Sequence, residues 1–130
     1  MTAAPVAPRL LVVDDEPAIL ASTCRYLRSL GYEVDGARER EEAEALLVTG
    51  DYGLLIVDMR MTPAHGREGL ELLRELQERH PAARAIVVTA HGSIELEAEA
   101  RRRGASVFLQ KPVSLAVIAN AAAALLEGLA

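Results

Sequence analysis

The sequence predicts an α/β domain in which a parallel sheet of five strands is covered by helices on both faces. Short apolar runs start near residues 10, 32, 54, 85 and 106, and segments with helical spacing separate them. The intervals of 22, 22, 31 and 21 residues are typical of repeated βα units, which build parallel sheets. Polar residues follow four of the five runs directly, at the strand ends where such sheets bind ligands.

The first strand and helix have the clearest pattern. Leu10–Val13 is continuously apolar, as expected for a strand that is buried on both faces. Pro17 stands at a favoured first helical position, and Gly31 provides a C-terminal stop. Between them, four residues repeat at steps of four, four and three: Ile19, Thr23, Leu27 and Leu30.

The remaining units follow the same plan. We predict strands at Tyr32–Asp35, Gly53–Val57, Ala85–Val88 and Ser106–Leu109. We predict helices over 39–48, from near Gly69 to His80, over 93–103, and from the Ser114 cap to Glu127. The segment from Thr62 to Glu68, which contains proline and glycine, is predicted to be a loop.

Composition excludes several classes of protein. A chain of 130 residues holds one domain, and 51% hydrophobic with 25% charged residues is ordinary for a globular protein. Fourteen basic and 19 acidic residues give a net charge of −5, and only four residues are aromatic, so direct nucleic-acid binding is not expected. The longest mainly apolar stretch, 113–126, is shorter than the roughly 18 residues of a membrane helix. Cys24 has no internal disulfide partner, and we expect a cytoplasmic protein without a membrane span.

The candidate site lies at the carboxyl ends of the strands. Asp14 and Asp15 follow strand 1, Asp58 follows strand 3, Thr89 follows strand 4 and Lys111 follows strand 5. In the flavodoxin-like doubly wound order 2-1-3-4-5, strands 1 and 3 are neighbours, so the three aspartates would converge.

Converging carboxylates require a counter-charge. Two carboxylates about 5 Å apart repel by about 3 kcal/mol at an effective dielectric near 20. A hard divalent ion such as Mg²⁺ and the ammonium of Lys111 would neutralise them. The first βα turn carries no glycine-rich phosphate loop, and its aspartates would repel a pyrophosphate, so nucleotide and flavin binding are disfavoured.

Four short motifs stand in order along the chain: Asp14-Asp15, Asp58-Met59-Arg60-Met61, Thr89-Ala90 and Lys111-Pro112. Together they resemble the receiver domain of two-component response regulators, including the bacterial chemotaxis regulator. The resemblance covers residues 9–127, which leaves 1–8 as a disordered lead-in and 128–130 as a tail. It implies that Asp58 accepts a phosphoryl group from the phosphohistidine of a sensor histidine kinase or a phosphotransfer protein.

The resemblance also implies a role for each residue of the site. Asp15 and Asp58 bind Mg²⁺ with the main-chain carbonyl of Arg60, and Asp14 acts through water or orients its neighbours. Lys111 and the ion neutralise the transferring group. Thr89 donates its hydroxyl to a phosphoryl oxygen, Phe108 turns inward as the switch aromatic, and the Lys111-Pro112 bond is cis. The result is a switch that acts only on its own Asp58.

The sequence departs from the family pattern in two places. The loop after Asp58 is about three residues longer than usual and could cover the site. Arg60 and His91 occupy positions that tune the lifetime of the acyl phosphate in this family, so an altered lifetime is expected. A solvated loop histidine is the equal alternative for His91.

The last helix suggests an interface. From Leu115 to Leu126, 11 of 12 residues are Ala, Val, Ile or Leu, and only Asn120 is polar. A helix that is apolar all round is normally buried, yet the final helix of a five-stranded sheet has a solvent side. We therefore expect this helix to pair with a second copy or to dock a partner.

Two other functions are compatible with the residues alone. One is a receiver-like docking module that works without phosphorylation. The other is a phosphotransferase or phosphatase with Asp14 as the nucleophile, as in haloacid-dehalogenase-like enzymes. The second is disfavoured because Asp14-Asp15-Glu16 replaces that family's Asp-x-Asp and 130 residues leave no room for a cap domain.

Overall fold

A computed structural model describes residues 9–58, 63–90 and 92–127, without the side chains of 63–67. The strands are β1 Arg9–Val13, β2 Glu33–Ala37, β3 Tyr52–Asp58, β4 Arg84–Thr89 and β5 Val107–Gln110. The helices are α1 Pro17–Ser29, α2 Arg40–Thr49, α3 Pro63–Arg79, α4 Ile94–Arg102 and α5 Leu115–Glu127. The predicted lead-in, 1–8, and tail, 128–130, lie outside the described residues.

The five strands form one parallel sheet in the order β2-β1-β3-β4-β5. The predicted fold class and strand order are therefore confirmed. Val13 is opposite Val57, and Asp58 is opposite Val88. This register brings the carboxyl ends of β1, β3 and β4 to one edge of the sheet, so the residues that follow these strands become neighbours.

Alternate residues of the central strands build one hydrophobic core on each face of the sheet. Leu11, Leu55 and Val87 pack in the core that includes α2, α3 and α4. Leu54 and Ile86 pack in the core that includes α1 and α5. All five side chains are fully buried, so truncating one to alanine would cost about 2–5 kcal/mol. The strands are therefore rigid supports for the edge where they end.

The predicted loop over residues 62–68 is wrong for the part that the structure describes. Helix α3 begins at Pro63 and continues to Arg79. Proline suits the first helical position because its φ is already helical and its missing N–H would have no intrahelical acceptor there. The glycines at 66 and 69 weaken a helix without preventing it.

The second strand lies slightly later than predicted and includes Gly36. A Cβ on Gly36 would stand 3.1 Å from both Cys24 Sγ and Leu20 Cδ1 of α1. Glycine therefore lets the helix pack closely on this edge strand.

Helix α1 buries only part of its predicted repeat. Thr23 and Leu27 are buried, whereas Ile19 is 38% exposed and Leu30 is 52% exposed. Ser114 caps α5 as predicted, since its Oγ accepts the Val117 amide at 3.2 Å. Among the helices of the described residues, none has the length and apolar character needed to cross a membrane.

Candidate functional site

The carboxyl edge of the sheet gathers the polar residues that follow the strands. Asp58 is the last residue of β3 and Thr89 is the last residue of β4. Asp14 follows β1 directly, and its amide donates to the carbonyl of Ala37 at 3.0 Å, which ties the β1 end to the β2 end. Hydrophobic strands thus hold polar side chains at fixed positions along one edge.

Lys111 connects three strands at this edge. Its Nζ lies 3.1 Å from Asp58 Oδ2 and 3.9 Å from Asp14 Oδ2. Its backbone N–H donates to the carbonyl of Thr89 at 2.7 Å. The Lys111–Pro112 peptide bond is cis. The Lys111 side chain is 25% exposed, so its attraction to the carboxylates is screened only partly by water.

The three aspartates form a compact acidic group. Asp14, Asp15 and Asp58 each offer a carboxylate oxygen, and these oxygens lie within 4.8 Å of one another. Asp14 is buried, Asp58 is half-buried and Asp15 is exposed. Within the described part of the chain, no other set of three or more acidic, histidine or cysteine residues is as close.

Burial makes the charged form of Asp14 costly. Burial is the largest cause that raises the pKa of the Asp14 carboxyl to about 6, and the nearby charge of Asp58 adds to the increase. Two contacts oppose it: the Glu16 amide donates to Asp14 Oδ1 at 2.9 Å, and Lys111 supplies positive charge. The groups of the described residues therefore offset only part of the cost of burying the Asp14 anion.

The residues fit a divalent cation. The carboxylate oxygens of these three aspartates lie within 4.8 Å of one another, and carboxylate oxygens are the ligands that hard divalent ions prefer. The main-chain carbonyl of Arg60, which the resemblance added to this ligand set, lies outside the described residues. His91 lies outside them as well.

Thr89, Gly92 and Phe108 meet beside this group. Thr89 is fully buried. The ring of Phe108 packs against the core on the face of α2, α3 and α4. A Cβ on Gly92 would lie 3.0 Å from Phe108 Cε1 and 3.4 Å from Thr89 Cγ2, so both side chains border the space that a side chain at residue 92 would occupy.

Two openings reach Asp14 and Asp58 from opposite sides. A polar cavity of about 630 Å³ extends toward the loop before α2, where Arg38 and Glu39 line it. An apolar groove of about 640 Å³ extends between α1 and α5, and Ile19 of α1 lines it. Lys111 lines the groove as well.

The structure brings together most of the residues that the sequence singled out. Asp14, Asp15, Asp58 and Lys111 form one cluster, and Thr89 is hydrogen-bonded through its carbonyl to the Lys111 amide. Sequence reasoning missed Gly92 and the groove face of Ile19. A glycine three residues after Thr89 was the available signal for the first; the second had none, because Ile19 fits the buried repeat of α1.

Comparison with known proteins identifies the family. Residues 10–123 match the response regulator receiver domain. The alginate biosynthesis transcriptional regulatory protein AlgB of Pseudomonas aeruginosa is 36% identical over 119 residues, which are 92% of this chain and 26% of that protein. The chain thus spans about a quarter of the length of this curated relative.

Solved structures agree with this match. A CheY-like receiver domain protein from Methanospirillum hungatei has a TM-score of 0.82 and 30% identity, with 94% of this chain and 96% of that chain covered. A response regulator from Burkholderia pseudomallei, solved with a phosphorylated aspartic acid, a calcium ion and citrate, has a TM-score of 0.77 and 28% identity. The coverage is 93% of this chain and 72% of that one.

Proposed function

This chain belongs to the response regulator receiver family, and on that premise we propose that Asp58 is the carboxylate that accepts the phosphoryl group. A receiver domain is a signalling switch rather than a turnover enzyme. The observation that carries the proposal is the contact between Asp58 Oδ2 and Lys111 Nζ at 3.1 Å, because a cation held there faces the charge of a transferring phosphoryl group. The solved relative with a phosphorylated aspartic acid supports the same chemistry.

In the proposed reaction, an Asp58 oxygen attacks the phosphorus of a phosphohistidine on a sensor kinase or phosphotransfer protein. An O–P bond forms and the P–N bond breaks, and its electron pair returns to the ring nitrogen. A proton on the other ring nitrogen keeps the leaving imidazole neutral. The Lys111 ammonium would stabilise the negative charge of the phosphoryl group as that group moves onto Asp58. The chain thus contributes positioning and electrostatic stabilisation. Hydrolysis of its own acyl phosphate then resets the switch.

Asp15 and Asp58 are the proposed ligands of Mg²⁺, together with the Arg60 carbonyl, and Asp14 orients them or acts through water. The compact carboxylate group and the calcium ion in a solved relative support a divalent site. When bound, the ion would supply positive charge opposite the phosphoryl oxygens. The positive charge of the ion would then offset part of the cost of burying the Asp14 anion.

Thr89 and Phe108 are the proposed switch. The Thr89 hydroxyl would donate to a phosphoryl oxygen on Asp58 and draw its loop toward that residue. Phe108 would then be held inward against the core, which alters the surface of α4 and β5. The buried position of Thr89 and the packed ring of Phe108 support this arrangement.

The apolar groove is the proposed docking surface for the phosphodonor protein. Its lining is mainly apolar, it contains Ile19, and it opens at Asp58 and Lys111. A donor must bring its phosphohistidine to Asp58, so a surface that continues directly from this residue is suited to hold it. Such donors act in the cytoplasm, where we place this chain.

A second copy of this chain is the proposed occupant of the solvent side of α5. Val117 is 45% exposed on a helix with one polar residue between Leu115 and Leu126. Burial of this face in a dimer would remove apolar surface from water. Sedimentation should show a dimer that Val117→Glu converts to a monomer; an unchanged oligomeric state in the variant would exclude this interface.

The test of the phosphoacceptor role is an intact-mass measurement with Mg²⁺ and acetyl phosphate. We expect one added phosphoryl group on the wild type and on Asp14→Asn, the latter more slowly, and none on Asp58→Asn. An adduct on Asp58→Asn but not on Asp14→Asn would assign the nucleophile to Asp14. No adduct on any variant, with hydrolysis excluded by rapid quenching, would favour a docking module that works without phosphorylation.

A further inference from the structure

Gly92 stands where Phe108, Thr89 and Gln110 come together. A Cβ at residue 92 would lie 3.0 Å from Phe108 Cε1, 3.3 Å from Gln110 Oε1 and 3.4 Å from Thr89 Cγ2. The first distance is too short for an ordinary carbon–carbon contact, which is about 3.5–4.0 Å. A side chain at residue 92 would therefore press on the Phe108 ring and the Gln110 amide, and it would be in van der Waals contact with the Thr89 methyl.

The backbone does not require glycine at this position. Gly31 and Gly104 have positive φ values of 101° and 106°, a conformation that favours glycine, whereas Gly92 does not. The absence of a side chain at residue 92 thus allows the Phe108 ring to approach closely.

We propose that Gly92 is a positioning residue for the switch, which admits the Phe108 ring to its inward place beside Thr89. The inference rests on the proposed function, in which Thr89 and Phe108 move together on phosphorylation, because Gly92 lies between these two residues. Any side chain at residue 92 would occupy part of the ring's inward place. The added methyl of an alanine would require the ring to shift by a few tenths of an ångström even before Asp58 is modified, and the phosphorylated state would lose part of the packing that favours it.

The chain offers a selective probe for this proposal. Phe108 is its only phenylalanine, so ring-¹³C phenylalanine gives an aromatic NMR spectrum of this residue alone. The first measurement compares ring shifts of wild type and Gly92→Ala before and after Mg²⁺ and acetyl phosphate are added. The second measures the rate of phosphoryl uptake for both proteins by intact mass.

The matched control is the same substitution in a Phe108→Ala background, where the ring is gone and the added methyl has space. We expect Gly92→Ala to shift the ring signals before phosphorylation and to slow uptake by about three- to tenfold with Phe108 present, but by less than twofold in the Phe108→Ala background. Mg²⁺ affinity serves as a control for a general structural defect, which would alter it. We expect this affinity to be unchanged in Gly92→Ala.

Two results would overturn the proposal. One is an unmoved Phe108 spectrum in Gly92→Ala, and the other is a change in uptake that is equal in the two backgrounds or absent from both. Failure of the phosphoacceptor role would be recognised separately, because the wild type itself would then gain no phosphoryl group.

Discussion

Lys111 Nζ lies 3.1 Å from Asp58 Oδ2 although β4 lies between β3, which ends at Asp58, and β5, which precedes Lys111. The long side chain spans the end of β4 and also reaches within 3.9 Å of Asp14 Oδ2. Lys111 is the only lysine of the chain, whose other basic residues are 13 arginines. A compact ammonium can face several oxygens in turn, whereas a planar guanidinium has a fixed donor geometry.

Replacing Lys111 by methionine should slow phosphorylation of Asp58 by about 10- to 100-fold, because a charge-assisted hydrogen bond is worth about 1.5–3 kcal/mol. Lys111→Arg keeps the charge but not its shape, so we expect an intermediate rate. The measurement is the time course of intact mass with acetyl phosphate and saturating Mg²⁺. A Lys111→Met rate within twofold of wild type would exclude an electrostatic role for this residue.

Asp14 should lower the stability of the protein at neutral pH when no divalent cation is added. Burial raises the pKa of Asp14 to about 6, above the value in the unfolded chain, so its favourable contribution is complete below about pH 4 and is lost as pH rises through 6. Asp14→Asn should therefore raise the free energy of unfolding at pH 7.5 by about 1–3 kcal/mol and give little gain at pH 4. Urea unfolding at both pH values measures this.

Asp51→Asn provides the matched control, because Asp51 is exposed at the opposite edge of the sheet. Its stability should follow the wild type at both pH values. A gain in Asp14→Asn that is equal at pH 4 and pH 7.5 would contradict the role of the ionised carboxylate.

Mg²⁺ affinity should decrease in acid for the same reason. A proton and a divalent cation compete for the Asp14 anion, and a pKa of about 6 leaves roughly one tenth of this group ionised at pH 5. We expect calorimetry to give about tenfold weaker Mg²⁺ binding at pH 5 than at pH 7.5. Equal affinities at the two pH values would show that ionised Asp14 does not support the ion.

A charge introduced into the apolar groove should slow phosphoryl transfer from a protein donor but not from a small-molecule donor. Ile19 lines the groove and is 38% exposed, so Ile19→Glu should fold normally. We expect it to slow transfer from a phosphorylated histidine phosphotransfer protein by at least about tenfold, the loss typical of a disrupted interface anchor, with little effect on acetyl phosphate. Val48→Glu is the control, since Val48 is exposed on α2, away from the groove. Equal losses with both donors would place the defect at Asp58 instead.

The fold could be predicted because buried parallel strands must be continuously apolar and their spacing fixes the βα plan. Residues directly after strands, such as Asp58 and Lys111, were therefore predictable as neighbours once the strand order was adopted. The strand order itself was adopted by analogy with flavodoxin-like folds, because local sequence patterns do not determine which strands pair.

Other features depend on packing between distant segments. The predicted second strand stops at Asp35, before Gly36, but this glycine lies inside β2, where α1 approaches closely. Pro63 resembles part of a loop until the helix that it starts is seen. Gly92 has the same ambiguity, because the ring that it admits lies 16 residues later in the chain.

Mapping the phosphorylated residue would show directly which aspartate accepts the phosphoryl group. After incubation with Mg²⁺ and acetyl phosphate, borohydride reduction converts an aspartyl phosphate to homoserine, and peptide mass spectrometry locates that residue. We predict homoserine at position 58 and unchanged aspartate at Asp14 and Asp15. Homoserine at position 14 or 15, with aspartate retained at 58, would contradict the account.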